Sequence, residues 1–586
     1  MSVSGFLPLL LALLPSGQLL ASDSGNFSTQ PGVGPAGPMP LAMMPENSND
    51  QCDLVMNYSG AERCAFVKRT PDCNMVDGLI SYLTLAFCLL PPSLTPLTIT
   101  LCMIWLLVLF VILGLAASKF FCPNLSAISS TLHLSHNVAG VTFLALGNGA
   151  PDIFSAMAAI SHPHTAGMAV GALFGAGIFV TTVVAGCVAL VKPFPVASRP
   201  FLRDVIFYMV AVFWTFLILY RGTTTLGEML GYLGLYVVYV LTVIISTYIY
   251  NRQKNLVTNG VPNLPHIPEF NSSDSSDEDV PHLTGQTIQQ EYESEYRPLL
   301  PYSESTSEIL LSSLNPVDSR KWRRKSWSWR ALKVVKTPLE VLLLLCVPVV
   351  DPDKEDKNWR RPLNSIHLIT APLLCVLAFQ SGAYGDVMIQ GEFPIWLLTL
   401  LLGMFLAAIV FCTTTNDHPP KYHPLFALLG FVVSAVLISA AASEVVSLLH
   451  MLGVVLSLSN TVLGLTLLAW GNSIGDCFSD ITIARQGYPR MAIAACFGGI
   501  IFNMLFGVGL GCLLQMYNTH SFVQFESEGL LTWILAGSLG LSLVLSFIIV
   551  PLSRFHLGRP YGVFLLVFYS VFLLIALLTE FGEIHT

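Results

Sequence analysis

Residues 134–157 read LSHNVAGVTFLALGNGAPDIFSAM, and residues 458–481 read LSNTVLGLTLLAWGNSIGDCFSDI. Twelve of the 24 aligned positions are identical without a gap. Both copies are strongly apolar, and each carries Gly-Asn followed by an Asp four residues after the Asn. A charged side chain at the centre of a bilayer costs on the order of 2.5–3.5 kcal/mol even on the lenient insertion scale. One such Asp is compatible with an accident of packing. Two at the same place in two copies of a Gly-interrupted helix call for a fold that brings the copies together, with a polar site at the repeat interface.

Of the 586 residues, 53% are hydrophobic and 11% charged. A soluble protein carries about 25% charged residues, so the chain reads as an all-α polytopic membrane protein. The net charge of −8 comes largely from one acidic loop and gives no reason to expect nucleic acid. The cysteines show no zinc or iron–sulfur spacing, and no cofactor is implied. Apolar stretches near the ~20 residues needed to span run over 96–118, 134–160, 166–191, 203–221 and 225–250. After a polar loop they resume at 362–381, 394–412, 423–449, 457–483, 490–515, 529–551 and 560–580. The 13-residue stretch 338–350 is too short to span and reads as interfacial.

Charge tests this map of twelve spans. With the N-terminus outside, the inside loops hold Lys119; Lys192, Arg199 and Arg203; the basic part of the long loop; Lys421; Arg485 and Arg490; and Arg554 and Arg559. The short outside loops hold only Arg221. This is the positive-inside bias, and it makes the two repeat copies antiparallel, an inverted-topology antiporter arrangement. The chain divides into a targeting segment, 1–21; a polar region with four cysteines, 22–92; and a first transmembrane half, 93–250, with its repeat at 134–186. A loop, 251–335, follows, then an interfacial segment with two extra helices, 336–422. A second transmembrane half, 423–586, has its repeat at 458–510.

The first 21 residues are apolar and end in small residues, like a cleavable signal peptide. The first basic residue is Arg63, which makes a poor mitochondrial presequence. Cys52, Cys64, Cys73 and Cys88, with sequons at Asn26 and Asn57, suggest two disulfides with three pairings open. In the loop, 274–279 (DSSDED) reads as a solvated, disordered linker without EF-hand spacing. Residues 321–336 (KWRRKSWSWRALKVVK) read as a basic aromatic helix on an anionic membrane surface. Ser326 follows Arg323 and Arg324, a setting that suits a basophilic kinase as partner. A homo-oligomer is left open.

The chemistry lies in the repeats. Pro151 has no amide to offer the carbonyl of Gly147, and Gly147 and Gly149 would let the backbone unwind. Freed carbonyls, Asn148 and Asp152 make one all-oxygen half-site; Asn472, Ser473 and Asp476 make the other, with Gly475 in place of Pro151. Such a cage suits Ca²⁺, which takes 6–8 oxygens, and Na⁺, but not metals that prefer His and Cys. Two carboxylates balance one divalent ion, two monovalent ions or two protons. Thr142 and Thr466 correspond and either lend oxygens or bond within their own helices. Asp480 shares a helix face with Asp476 and has Ala156 as counterpart; it reads as an inside anchor rather than a cavity-mouth charge. His133 and His136 read as ordinary interfacial histidines. Each copy is followed by a related helix, FGAGIFV at 174–180 and FGGIIFN at 497–503, in which Asn503 is a site amide opposite Val180.

GNGAPD, GNSIGD and FGGIIFN, with their flanks, resemble the α-repeats of the cation/Ca²⁺ exchanger superfamily, and within it the lithium-tolerant sodium/calcium branch. The resemblance covers the chain from 92 onward and implies Ca²⁺ extrusion from the mitochondrial matrix across the inner membrane in exchange for Na⁺ or Li⁺. It places the cation ligands on Asn148, Asp152, Asn472, Ser473 and Asp476. The family's serine positions in the second helices are here Ala176 and Gly499, and its acidic position is neutral Asn503, so several Na⁺-type ligands and one charge are missing. Alternatives are a Ca²⁺/H⁺ exchanger on the same fold, an intramembrane aspartyl protease, and a passive channel. The protease would need Gly-x-Gly-Asp where this chain has Ser-Ile-Gly-Asp.

Overall fold

The computed structural model describes residues 52–58, 60–70, 73, 80–89, 95–132, 145–160, 166–222, 224–258, 305–315, 322, 327–351, 354, 356–378, 388–389, 393–416, 418–485, 487, 489–519 and 529–584. The segment 1–21, Asn26, Thr142, His133, His136, the DSSDED run and Ser326 lie outside these residues.

After α1 (Gly60–Arg69), the first half comprises α2 (Thr95–Leu115), α3 (Cys122–Thr131), α4 (Ala145–Ile160), α5 (Ala166–Ile178), α6 (Ala185–Val191), α7 (Ser198–Arg221) and α8 (Leu226–Thr258). The connection carries α9 (Thr306–Leu314), α10 (Trp327–Cys346), α11 (Arg361–Ala378) and α12 (Ile395–Thr413). The second half comprises α13 (Pro424–Leu456), α14 (Asn460–Leu463), α15 (Ala469–Arg485), α16 (Pro489–Phe502), α17 (Val508–Thr519), α18 (Gly529–Leu552) and α19 (Arg559–Ile584). Short π-helical turns join α2 to α3, α5 to α6, α14 to α15 and α16 to α17. Among the described residues ten helices are long and apolar enough to cross a membrane. Twelve spans were expected; the first helices of the two repeats, α4 and α14–α15, are not among these ten, and the described part of α4 is 16 residues long.

Contacts between loops agree with the sidedness read from charge. The inside loop after α6 pairs antiparallel with the loop before α19, Phe194 opposite Leu557 and Pro195 opposite His556. Arg490 donates to the Pro195 carbonyl at 2.8 Å, so three loops assigned to the inside meet. On the other side, Glu580 near the end of α19 accepts from the Ser459 amide at 2.8 Å.

The stretch 338–350 does not span. It is the C-terminal part of α10 and the extended segment after it, so the boundary expected between 335 and 336 falls inside one helix. Leu343 and Val347 pack in a satellite core with Leu115, Phe120, Ala371 and Val433. Asn124 then ties the segment to α3, donating to Pro348 at 2.8 Å and accepting from Val350 at 2.9 Å. The buried Glu340 takes Lys119 and Lys333 as ion-pair partners. A polar sequence flanking a 13-residue apolar run is thereby held against the inside ends of the bundle.

The two repeats exchange partners. The first-repeat second helix, α5, packs on α14 and the π turn Gly464–Leu468 of the second repeat. A Cβ on Gly171 would strike the Thr461 carbonyl, and one on Gly464 would strike the Met168 carbonyl, so both positions require glycine for backbone-to-backbone approach. Reciprocally, α4 packs on α16, α17 and the π turn Asn503–Gly507. This reciprocal packing is what places the two Asp-bearing helices on one shared interface.

One expectation is overturned. The backbone does not unwind at Gly147–Asp152 or at Asn472–Asp476: α4 and α15 stay helical through both motifs, with Pro151 accommodated inside α4. In the second repeat the irregularity sits a turn earlier, in the π turn Gly464–Leu468. A π turn inserts an extra residue without opening the hydrogen-bond ladder, a cheaper distortion in an apolar bundle than a fully unwound segment.

Candidate cation site

Asp152 projects from α4 toward the π turn that follows α16. Asn503, the first residue of that turn, donates from Nδ2 to Asp152 Oδ2 at 2.7 Å. The Asn472 side chain on α15 also bonds the Asp152 carboxylate, and Asp476 one turn along α15 lies near enough to Asp152 to interact with it electrostatically. Helices from both repeats thus converge on one carboxylate pair. Asp152, Asn472 and Asn503 line a small cavity of about 20 Å³ together with Ala156, Ala172, Leu173, Ala176, Gly177, Ile500 and Met504. That is room for a single water-sized particle.

Among the described residues, Asn472 Oδ1 and Asn503 Oδ1 at this cavity, and Ser473 Oγ and Ser155 Oγ on the same two Asp-bearing helices, are buried without a hydrogen-bond partner. An orphaned buried acceptor costs about 1–3 kcal/mol, and native interiors hold few of them. Three on the helices that carry the carboxylate pair, and Asn503 on the π turn beside them, make a set of hard oxygens of the kind a cation takes. The Asn503 amide divides its work: nitrogen to Asp152, oxygen free. Gly149 makes room for it, since a Cβ there would collide with Asn503 Oδ1.

Of the expected site residues, the structure brings together Asp152, Asn472, Asp476 and Asn503, with Ser473 fully buried on the same helix turn. Asn148 and Gly147 sit a turn ahead of Asp152 on α4; the side chain of Asn148 is outside the described set. Thr466 spends its hydroxyl on the Val462 carbonyl at 2.7 Å, an internally bonded helix threonine. Asp480, expected as an inside anchor, is 5% exposed and accepts from the Cys496 thiol at 3.1 Å. Ser155 was not among the expected residues. Its signal was available, because Phe-Ser recurs two and three residues after each Asp, at Phe154-Ser155 and Phe478-Ser479.

In the second helices the polar contribution is one-sided. Val180 and Asn503 both sit in π turns at matching positions, and only Asn503 offers a polar side chain. Thr181 and Thr182, next to Val180, bond their own helix carbonyls, Gly177 at 2.7 Å and Ile178 at 2.5 Å.

A family profile described as sodium/calcium exchanger protein matches residues 102–245 and 426–578. The chain belongs to the sodium/calcium exchanger family. The two matched blocks each contain one repeat, and the gap between them holds the long loop with α9–α12. It is 57% identical over 586 residues to the mitochondrial sodium/calcium exchanger protein of Gallus gallus, covering 98% of each chain. It is 57% identical over 577 residues to the protein of the same name in Homo sapiens, covering 98% of this chain and 96% of that one. Cation/calcium exchanger 1 of Arabidopsis thaliana is 30% identical, covering 89% of this chain and 88% of its own. As a member of an exchanger family the chain is a transporter and not an enzyme, and inorganic ions are its cargo.

Proposed function

We propose that this chain is a secondary active antiporter that extrudes Ca²⁺ from the mitochondrial matrix across the inner membrane in exchange for Na⁺ or Li⁺. The observation that carries the reading is the set of oxygens without a hydrogen-bond partner among the described residues: Asn472 Oδ1 and Ser473 Oγ on the helix of Asp476, and Asn503 Oδ1 on the π turn that bonds Asp152. Such neutral oxygens, together with carboxylates, are the hard ligands that Ca²⁺ takes. Asp152 and Asp476 supply two negative charges. An empty dianionic cage in a low-dielectric bundle is unfavourable, so the carrier changes sides loaded, with one Ca²⁺ or with monovalent ions of equal charge. That requirement is what makes it an exchanger. Alternating access comes from movement of one helix group across the fixed interface of the two repeats. Asn148 belongs to the proposed ligand set by correspondence with Asn472. A kinase acting at Ser326 and a homo-oligomeric assembly are further proposals that rest on sequence pattern alone.

A second reading, exchange of Ca²⁺ for protons, is favoured by two observations: the second helices add Asn503 alone to the cage, and Asp480 is a third buried carboxylate whose hydrogen bond comes from a thiol. The test is Ca²⁺ efflux from proteoliposomes of the purified full chain, with Na⁺, Li⁺, K⁺ or a pH gradient as the sole driving ion. Na⁺ and Li⁺ drive efflux in the first reading, and a pH gradient alone drives it in the second. Asp152→Asn and Asp476→Asn each abolish efflux in both while leaving a monodisperse, folded protein. Near-normal transport by either variant removes the carboxylate pair from the mechanism.

A further inference from the structure

The described part of the N-terminal region is held by two disulfides, Cys52–Cys73 and Cys64–Cys88, the pairing left open by sequence. Between Cys73 and Cys88 the chain dips into the bundle: Tyr82, Leu83 and Ala86 are buried in the main core. Tyr82 donates its hydroxyl hydrogen to Glu444 Oε2 at 2.6 Å, and Trp105 Nε1 donates to the same Tyr82 oxygen at 2.9 Å. Trp105 belongs to α2 and Glu444 to α13. One phenol oxygen therefore bridges the first long helix of one half and the first long helix of the other.

Both helices are long, as is α8 at 33 residues. The helical run that begins with α2 covers Pro96–Thr131, 36 residues, and α13 covers 33. A straight span needs about 20, so both are long enough to run obliquely past the site. They touch each other, and α13 also packs along α4, the helix that carries Asp152. Glu444 is 5% exposed, a carboxylate placed among apolar residues of a span. Such a position is expensive and is retained where it does something. Burial, then the bond to Glu444, push the pKa of Tyr82 well above its ordinary value, so the phenol is a permanent donor.

We propose that Tyr82 is the pin of an outer latch. The disulfide-clamped segment holds its hydroxyl between Trp105 of α2 and Glu444 of α13, and the latch favours the one arrangement of these helices in which both bonds form. Tyr82 and Glu444 are positioning residues: they touch no ion and act on the site through α13. A carrier that alternates between two arrangements responds to such a bond as a shift in population. The latch lowers the energy of the side-access state it belongs to and leaves the other untouched. A hydrogen bond to a charged group is worth about tenfold or more in such an equilibrium.

The proposal rests on the antiport reading for its transport readout, so the test has a second arm that does not. In proteoliposomes of known orientation, apparent Ca²⁺ affinity is measured at each face for the wild type, Tyr82→Phe, Glu444→Gln and the double variant. The expected result is a change of about tenfold in the ratio of the two affinities, with opposite signs at the two faces. The double variant shifts no further than either single one, as for partners in one bond. Equal weakening at both faces, no shift, or additive effects overturns the latch. In the transport-free arm, backbone amide exchange over Thr95–Trp105 and over Glu444–Leu456 is compared in detergent. Faster exchange in Tyr82→Phe, with both disulfides retained, supports the latch even if the wild type proves to move another ion. Unchanged exchange at both stretches refutes it independently of transport. Trp105→Phe cuts the other arm of the bridge and serves if Glu444→Gln does not fold.

Discussion

Gly149 and Gly475 flank corresponding Asp residues, yet the structure gives alanine opposite consequences at the two sites. A Cβ at 475 meets nothing within 4 Å. Gly475→Ala therefore gains the helix propensity of Ala over Gly, up to about 1 kcal/mol, and leaves transport near wild type. A Cβ at 149 meets Asn503 Oδ1 at a distance no real contact tolerates, with Cγ at 3.0 Å. Asn503 has to swing away and its Nδ2 bond to Asp152, now 2.7 Å, is lost. A hydrogen bond to a charged group contributes about 1.5–3 kcal/mol. Set against the ~1 kcal/mol of propensity, Gly149→Ala is destabilised by roughly 0.5–2 kcal/mol. Its Ca²⁺ affinity falls roughly ten- to a hundredfold, as expected when 1.4 kcal/mol is a factor of ten. The assay is thermal unfolding of detergent-purified protein together with Ca²⁺ concentration dependence of transport. Adding Asn503→Ser to Gly149→Ala relieves the collision and recovers stability without restoring full affinity. Unchanged affinity in Gly149→Ala would falsify the placement of Asn503, as would equal damage from Gly475→Ala.

Ser155→Ala and Ser473→Ala remove buried hydroxyls that have no hydrogen-bond partner among the described residues. Each is expected to raise thermal stability without Ca²⁺, by up to about 1–3 kcal/mol, while weakening Ca²⁺ binding; a loss of both stability and affinity points to an ordinary packing role. His423, at the start of α13, is buried with its ring edge-on to Trp359 at 5.2 Å between centroids. Burial, then the Lys357 charge, lower its pKa from 6.5 to about 4. The folded state thus binds fewer protons than the unfolded state between these values, and stability is complete above pH 6.5 and lost as pH falls toward 4. A His423→Gln variant should show a flatter melting temperature across that window, and an unchanged slope removes His423 as its source.

The site's carboxylates were legible because duplication turns a weak signal into a paired one. A lone Asp in an apolar helix carries little information, but the same Asp behind the same Gly-Asn in two copies isolates Asp152 and Asp476. The sidedness of the loops was legible because Lys and Arg are costly to translocate, and the meeting of Arg490 with Pro195 agrees with it. Local backbone at the motifs was not. Gly and Pro raise the cost of a helix without deciding whether it breaks, and packing against the exchanged partner helices keeps α4 and α15 wound. The latch was equally hidden: Tyr82 and Glu444 are 362 residues apart, and neither lies in a repeated pattern. Ser155 sat within reach of the argument, but a serine in an apolar helix usually bonds its own backbone, and only its orphaned oxygen sets it apart.

The asymmetry of the second helices has a consequence for ion choice. The first half contributes Asp152 and the second Asn472, Asp476 and Asn503; Asn503 is opposed by Val180, and the cavity wall at Ala176 is a methyl group. Na⁺ carries half the charge of Ca²⁺ and is held less by the carboxylates, so its affinity depends more on neutral oxygens at the wall. Ala176→Ser adds such an oxygen to a wall that already holds Asp152, Asn472 and Asn503. The cavity is about 20 Å³, so one hydroxyl changes a large part of its lining. The expected outcome is a severalfold lower Na⁺ concentration for half-maximal Ca²⁺ efflux, with the Ca²⁺ dependence moving less than the Na⁺ dependence. If both dependences move together, the hydroxyl has merely altered packing. If the Na⁺ dependence does not move and a pH gradient still drives efflux, the wall at 176 plays no part in coupling and the carboxylates trade Ca²⁺ for protons.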